Sequence, residues 1–164
     1  MKEYVISALV ENRSGVLSRI AGLFSRRGYN IDSLSVGETD DPTISRMTIV
    51  TRADRQMQEQ IKKQLNKLVD VIKIVELKEE TSVYRELALI KVKAGKNVRA
   101  EIIEIANIFR SHIVDVSNEA LIIEATGDEG KISALTKMLE PYGVKEIIRT
   151  GLTALERGDR ELKV

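Results

Sequence analysis

The spacing of apolar residues along this chain changes in an order that occurs twice, and this repetition constrains the fold more than any other feature. Tyr4 to Val10 is a run of β-formers ending at the polar turn Glu11-Asn12-Arg13-Ser14-Gly15. Val16, Leu17, Ile20, Leu23 and Phe24 then follow helical spacing, which predicts a helix stopping near Gly28. Ser14 is the expected N-cap, because a serine hydroxyl accepts from the unpaired amides of a first turn. Ile31 to Val36 reads as a strand, Gly37 to Thr43 as a turn built on Asp40-Asp41-Pro42, and Ile44 to Thr51 as a third strand. Met57, Ile61, Leu65 and Leu68 mark a second helix, and Val69 to Leu77 a fourth strand.

After the polar break Glu79-Glu80-Thr81-Ser82 the same order begins again. Leu87 to Val92 is a strand, and Val98, Ile102, Ile105, Ala106 and Phe109 form a helical stripe with Asn97 as the expected cap. Ile113 to Val116 and Ala120 to Thr126 make a hairpin. Ile132, Leu135, Met138 and Leu139 supply a helix ending at Pro141, and Val144 to Leu155 closes with a strand. Ile20-Ala21-Gly22-Leu23-Phe24 even returns faintly as Ile105-Ala106-Asn107-Ile108-Phe109. The fold class that follows is α+β, as two tandem ferredoxin-like βαββαβ domains at 1–78 and 83–164, joined by a linker at 79–82. The tail from Arg157 to Val164 is expected to be frayed.

Such a unit carries helices on one face of its sheet only. In the fourth strand Val69, Val71, Val75 and Leu77 alternate with Ile72 and Ile74, so apolar side chains are expected on both faces. The second face calls for cover, by the other domain or by another copy of the chain, and a symmetric homodimer is the simplest arrangement.

Composition removes several classes of function. The 164 residues carry 26 Lys and Arg against 25 Asp and Glu, a net charge of +1. Phosphate neutralisation supplies much of nucleic-acid affinity, and this chain has no basic excess to provide it. Aromatics are 4% with no Trp, which disfavours base stacking. Cysteine is absent, excluding thiol catalysis and cysteine-ligated metal. The single histidine, His112, lies between a helix and a strand and reads as an exposed turn residue. No phosphate loop, dinucleotide fingerprint, zinc-binding helix motif or nucleophile elbow occurs. No catalytic residue and no metal ligand is therefore assigned. Met1-Lys2-Glu3-Tyr4 opens no long apolar core, so the expectation is a cytoplasmic protein with no leader and no membrane span.

Two short segments carry binding chemistry. Asn12-Arg13-Ser14-Gly15-Val16-Leu17 joins a strand to a helix N-terminus, where free amides and the positive end of the helix dipole favour a carboxylate. Gly15 lets a ligand approach the backbone, and Asn12 and Ser14 add hydrogen-bonding groups. By spacing alone, a capped helix with a glycine in its first turn explains these residues equally well. Asn30, just before Ile31, has an amide that both donates and accepts, as an amino-acid ligand requires. Taken alone, a helix-to-strand turn is the better reading of Asn30.

These segments also carry a resemblance. Asn12 to Arg19, Gly22 to Ile31, and Thr39 to Thr48 together resemble the acetolactate synthase small subunit, the regulatory subunit of acetohydroxyacid synthase. The first domain is similar to an ACT domain, a class of amino-acid sensor, and the second to an ACT-like C-terminal domain. The resemblance implies a subunit with no active site of its own. It would bind the large catalytic subunit, activate it, and confer feedback inhibition by valine, with isoleucine or leucine effects, in branched-chain amino-acid synthesis. Thiamine diphosphate, Mg²⁺ and FAD would belong to that partner, leaving no cofactor on this chain. The effector site would lie at the interface of two ACT domains, with Asn12, Ser14, Gly15, Val16 and Leu17 from one chain and Asn30 and Ile31 from the other. Valine's isopropyl group would pack on Val16 and Ile31. A free-standing amino-acid sensor and a small ferredoxin-like enzyme or RNA binder are the competing readings.

Overall fold

The computed structural model describes every residue from Met1 to Val164 and divides the chain into two units. The first comprises Met1–Val83 together with Leu152–Val164, and the second Tyr84–Gly151. The first unit is built from β1 (Lys2–Glu11), α1 (Val16–Arg26), β2 (Ser33–Glu38), β3 (Ile44–Ala53), α2 (Arg55–Lys67) and β4 (Val71–Leu77). Its strands are antiparallel in the order β2-β3-β1-β4. The second unit repeats the plan with β5 (Ser82–Lys93), which begins at the boundary, then α3 (Arg99–Ile108), β6 (His112–Val116), β7 (Ala120–Gly127), α4 (Glu129–Leu139) and β8 (Val144–Arg149), in the sheet order β6-β7-β5-β8. Both are ferredoxin-like βαββαβ layouts in the α+β class.

In the first unit Tyr4, Ile6, Ala8 and Val10 of β1 meet Met47 and Ile49 of β3 and the buried stripe Val16, Ile20, Leu23 and Phe24 of α1. Ile61 and Leu65 of α2 complete this layer. Asp54 caps α2 through its side chain, which accepts from the Met57 amide at 2.9 Å. The second core forms in the same way, from Ala88, Ile90 and Val92 of β5, Leu121 and Ile123 of β7, and the inner faces of α3 and α4.

The other face of the first sheet is also buried. Val5, Leu9, Val50 and Leu77 are at most 5% exposed and point away from the helices. The chain's own end lies on that side. After β8 the backbone turns at Gly151, at a φ of 86° that a side-chain-bearing residue rarely adopts. The Leu152 amide then donates to Ser33 Oγ at 2.8 Å, and Ala154 in β9 (Thr153–Glu156) is buried. Burial pulls the Arg46 guanidinium below its ordinary value, while Glu156 opposes that shift, and Arg46 Nε donates to Ser7 Oγ at 2.8 Å. The Arg157 amide donates to the Thr81 carbonyl, and Lys73 Nζ to the Lys163 carbonyl.

Several expectations are corrected here. The strand expected over Val144 to Leu155 is two strands, broken at Gly151, and residues 152–164 group with the first unit. The tail expected to fray is tied to the first sheet by the bonds just described. In β4 the alternation breaks at a bulge: Val10 pairs with Val71 but Leu9 with Lys73, leaving Ile72 as the extra residue. Val71 and Ile74 therefore both join the helix-side core, and Val69 is exposed before the strand begins. β2 starts at Ser33, two residues late, because Ile31 packs against the core from the preceding turn.

Ending the chain at Gly151 is expected to lower amide protection in β1 and β4 while leaving α3 and α4 unchanged. Hydrogen exchange followed by mass spectrometry on the full-length and shortened chains reads both outcomes. Lost protection in α3 and α4 alone would show that the tail serves the second unit.

Candidate functional site

The loop between β1 and α1 is where the first unit offers exposed backbone donors. Gly15, not Ser14, is the N-cap residue, at φ 89° and ψ −12°, and no side chain bonds the first-turn amides. The amides of Leu17 and Ser18 have no partner in the protein, and the Ser14 hydroxyl makes no hydrogen bond. Ser14 cannot cap because the left-handed turn belongs to the next residue. The result is a helix N-terminus with no acidic residue in its first turn, open to an anion. Val16 is 3% exposed and sits in the core, so it offers no side-chain surface to a ligand, whereas Leu17 is 47% exposed.

Asn12 braces this loop from the side. Its backbone amide donates to the Thr43 carbonyl at 2.8 Å, and its Nδ2 donates to the Pro42 carbonyl at 2.9 Å and to Glu38 Oε2 at 3.2 Å. The turn between β2 and β3 is thereby fastened to the loop. Asp41 shapes that turn, with Oδ1 accepting from the Thr43 amide and hydroxyl, and these bonds hold its carboxyl below the usual range.

Asp70, in the turn between α2 and β4, holds the loop from beneath. Its side chain is 3% exposed. Oδ1 accepts from Arg13 Nε at 3.0 Å and Nη2 at 2.5 Å, and Oδ2 accepts from Arg19 Nε at 2.5 Å. The bonds from Arg19 and then Arg13 keep this carboxyl below its usual range despite burial. The Arg19 guanidinium also lies over Gly15: a Cβ added there would stand 2.9 Å from Nη1. Arg13 and Arg19 read from sequence as part of a basic cluster with Arg26 and Arg27, whereas Asp70 was not among the residues singled out. The two arginines are 57 and 51 residues from it along the chain, so no local pattern joins them.

Asn30 and Ile31 stand elsewhere. The Asn30 carbonyl accepts from Thr51 Oγ1 at 2.5 Å, its Nδ2 donates to Asp32 Oδ1 at 2.5 Å, and Ile31 is half-buried against the core. Thr51 pairs with Tyr4 at one end of β1, whereas Ile44 pairs with Glu11 at the other. Asn12 and Asn30 are thus at opposite ends of the sheet, roughly 20 Å apart by strand rise. One chain brings Asn12, Ser14, Gly15 and Leu17 together and leaves Asn30 out.

Two family models match the two halves of the sequence, the second running past Gly151 into the segment that groups with the first unit. An acetohydroxyacid synthase small-subunit-like ACT domain matches residues 6–73, and the small subunit of acetolactate synthase matches residues 85–158. The chain belongs to the acetolactate synthase small-subunit family. The acetolactate synthase small subunit of Mycobacterium bovis is 55% identical over 159 residues, covering 97% of this chain and 95% of that protein. The probable acetolactate synthase small subunit of Archaeoglobus fulgidus is 53% identical over 159 residues, covering 97% and 99%. The crystal structure of the acetolactate synthase small subunit from Thermotoga maritima superposes with a TM-score of 0.90 at 42% identity, covering 98% of this chain and all of that one. Membership in this family gives the protein a regulatory role beside a catalytic large subunit.

The strand-to-helix loop of the second unit differs from the first in this acetolactate synthase small-subunit chain. Val98, in the right-handed helical region, replaces the left-handed glycine as N-cap, and Asn97 caps nothing. Arg99 Nη2 donates to the Ala94, Ser117 and Asn118 carbonyls, closing the loop with a side chain of the protein itself. Beside it lies an open cleft of about 550 Å³ lined by Lys93, Lys96, Asn97, Val98, Pro141 and Tyr142. His112 is exposed at the start of β6.

Two outcomes follow for the loop. Gly15→Ala forces a side chain into the left-handed region against Arg19, and is expected to cost about 1–2 kcal/mol, read as a lower denaturant midpoint for the first unit. Because the folded state depresses the Asp70 pKa, its contribution is complete above the ordinary carboxylate value of about 4 and is lost as pH falls through the depressed value. The stability difference between wild type and Asp70→Asn should therefore shrink as acid unfolding is followed below about pH 4.

Proposed function

We propose that this chain binds and activates the large catalytic subunit of acetolactate synthase and makes it subject to feedback inhibition by valine, with isoleucine or leucine as secondary effectors. The observation that carries the effector part is the unfilled N-terminus of α1, where Gly15 and the free amides of Leu17 and Ser18 suit a carboxylate. Leu17 supplies exposed apolar surface for a branched side chain. Asn30 and Ile31 complete the site from a second copy of the chain. Their placement at the far end of the sheet supports this reading, because a two-fold axis sets opposite ends of two antiparallel strands side by side.

An amino acid held between two copies favours one dimer geometry over another, and that differential affinity is what reaches the catalytic partner. This chain contributes no catalytic group in this scheme. Thiamine diphosphate, Mg²⁺ and FAD reside on the large subunit, and the pair works in the cytoplasm, where amino-acid synthesis takes place.

Acetolactate formation by the matching large subunit, with and without this chain across a valine titration, tests the proposal. The expected result is activation together with inhibition that deepens with valine. Asn30→Ala in the same complex should raise the half-inhibitory concentration at least about tenfold, the scale of a lost hydrogen bond to a charged group. Valine binding with no effect on acetolactate formation would favour a free-standing sensor.

A further inference from the structure

We propose that Asp70 is a positioning residue for the effector loop: its buried carboxylate holds Arg13 and Arg19 so that Gly15 and the first-turn amides of α1 keep their outward-facing arrangement. The inference rests on the effector site proposed above and deepens it, since Asp70 itself touches no ligand in that site.

Geometry carries the argument. Asp70 lies between α2 and β4, outside the loop, yet three bonds from two arginines converge on its two oxygens. Arg13 and Arg19 flank Gly15, one in the loop and one in the second turn of α1. One carboxylate thus fixes the chain on both sides of the left-handed residue. The backbone of Asp70 adds a separate tie, its carbonyl accepting from the Glu11 amide at 2.9 Å. Arg13 Nε also reaches Glu11 Oε2 at 3.0 Å, but that acid is half-exposed and is a weaker anchor. Without the Asp70 charge two guanidinium groups would face each other with nothing between them. Arg19 would then be free to leave its place over Gly15, and the left-handed turn would lose the side chain that lies against it.

Asp70→Asn is the informative change because it keeps the size of the side chain. An asparagine offers one acceptor oxygen, and its amide group would face an arginine donor, so only one arginine is retained. The variant is compared with wild type, as full-length chain, in two measurements. In complex with the large subunit, the half-inhibitory valine concentration is expected to rise about tenfold while inhibition at saturating valine stays complete. A loss of folding would instead abolish both. In hydrogen exchange on the small subunit, the Asn12 and Arg19 amides should exchange about tenfold faster. The Glu11 amide, bonded to the residue 70 backbone, should not change.

Unchanged exchange at Asn12 and Arg19 overturns the inference whatever valine does, as does an unchanged half-inhibitory concentration in a complex whose wild type is inhibited. If valine does not inhibit the wild-type complex, the effector proposal falls, and the exchange data still decide whether Asp70 positions the loop. Should Asp70→Asn fail to fold, Arg19→Gln leaves Asp70 neutralised by Arg13. It is expected to move both readouts in the same direction by about threefold.

Discussion

A strand buried on both faces needs a layer on each side, and β1 is such a strand. Every residue from Tyr4 to Val10 is buried. The even-numbered side chains lie against α1 and α2, and Val5, Ser7 and Leu9 lie on the opposite side. Helices can supply only the first layer in a βαββαβ unit. The second, on this chain, includes its last thirteen residues, held through Ser33, Arg46, Lys73 and Thr81. β5 makes the contrast. Its burial alternates, with Ala88, Ile90 and Val92 fully enclosed and Leu89 between them open to solvent. The second sheet accordingly shows one packed face and one solvated face, the ordinary condition of an antiparallel sheet.

The order of elements was legible because helical and strand spacing differ strongly over ten-residue stretches, and all four helices and eight strands of the repeated plan occur in the expected order, with the bounds of β2, β4 and β8 differing. Errors cluster where backbone conformation, not hydrophobicity, decides. Ser14 and Asn97 were reasonable caps by residue type, but the turns place Gly15 and Val98 at those positions. The bulge at Ile72 inverts the expected faces of half of β4, and no run of residue types announces it. Gly151 reads as one more residue of a closing strand until its φ is known. The loop of the candidate site was legible as a loop, and Gly15 as its special residue. Asp70 was not, because a buried acid is recognised by its partners and these come from a distant part of the sequence.

The two units also show how little the fold alone says about binding. Each places a loop between its first strand and first helix, in the same topological position. In the first, a glycine and unpaired amides leave the helix end open, and in the second Arg99 fills the corresponding loop with its own guanidinium. One plan thus presents one helix end with no acid in its first turn and one whose loop is crossed by Arg99 and whose first turn carries Glu101. Function resides in these side chains and not in the shared architecture.

The return of residues 152–164 to the first sheet has a consequence for how the protein is made. A domain usually folds as its residues leave the ribosome, N-terminal portion first. Here the first unit cannot acquire its second layer until residues 152–164, which follow the second unit, have been synthesised. Its nascent form exposes Val5, Leu9, Val50 and Leu77 throughout synthesis of the second unit. Closure of that sheet is a contact of high sequence separation, which is slow to form. The newly made subunit therefore passes through a stage in which one sheet is packed and the other still waits for the residues that cover its second face.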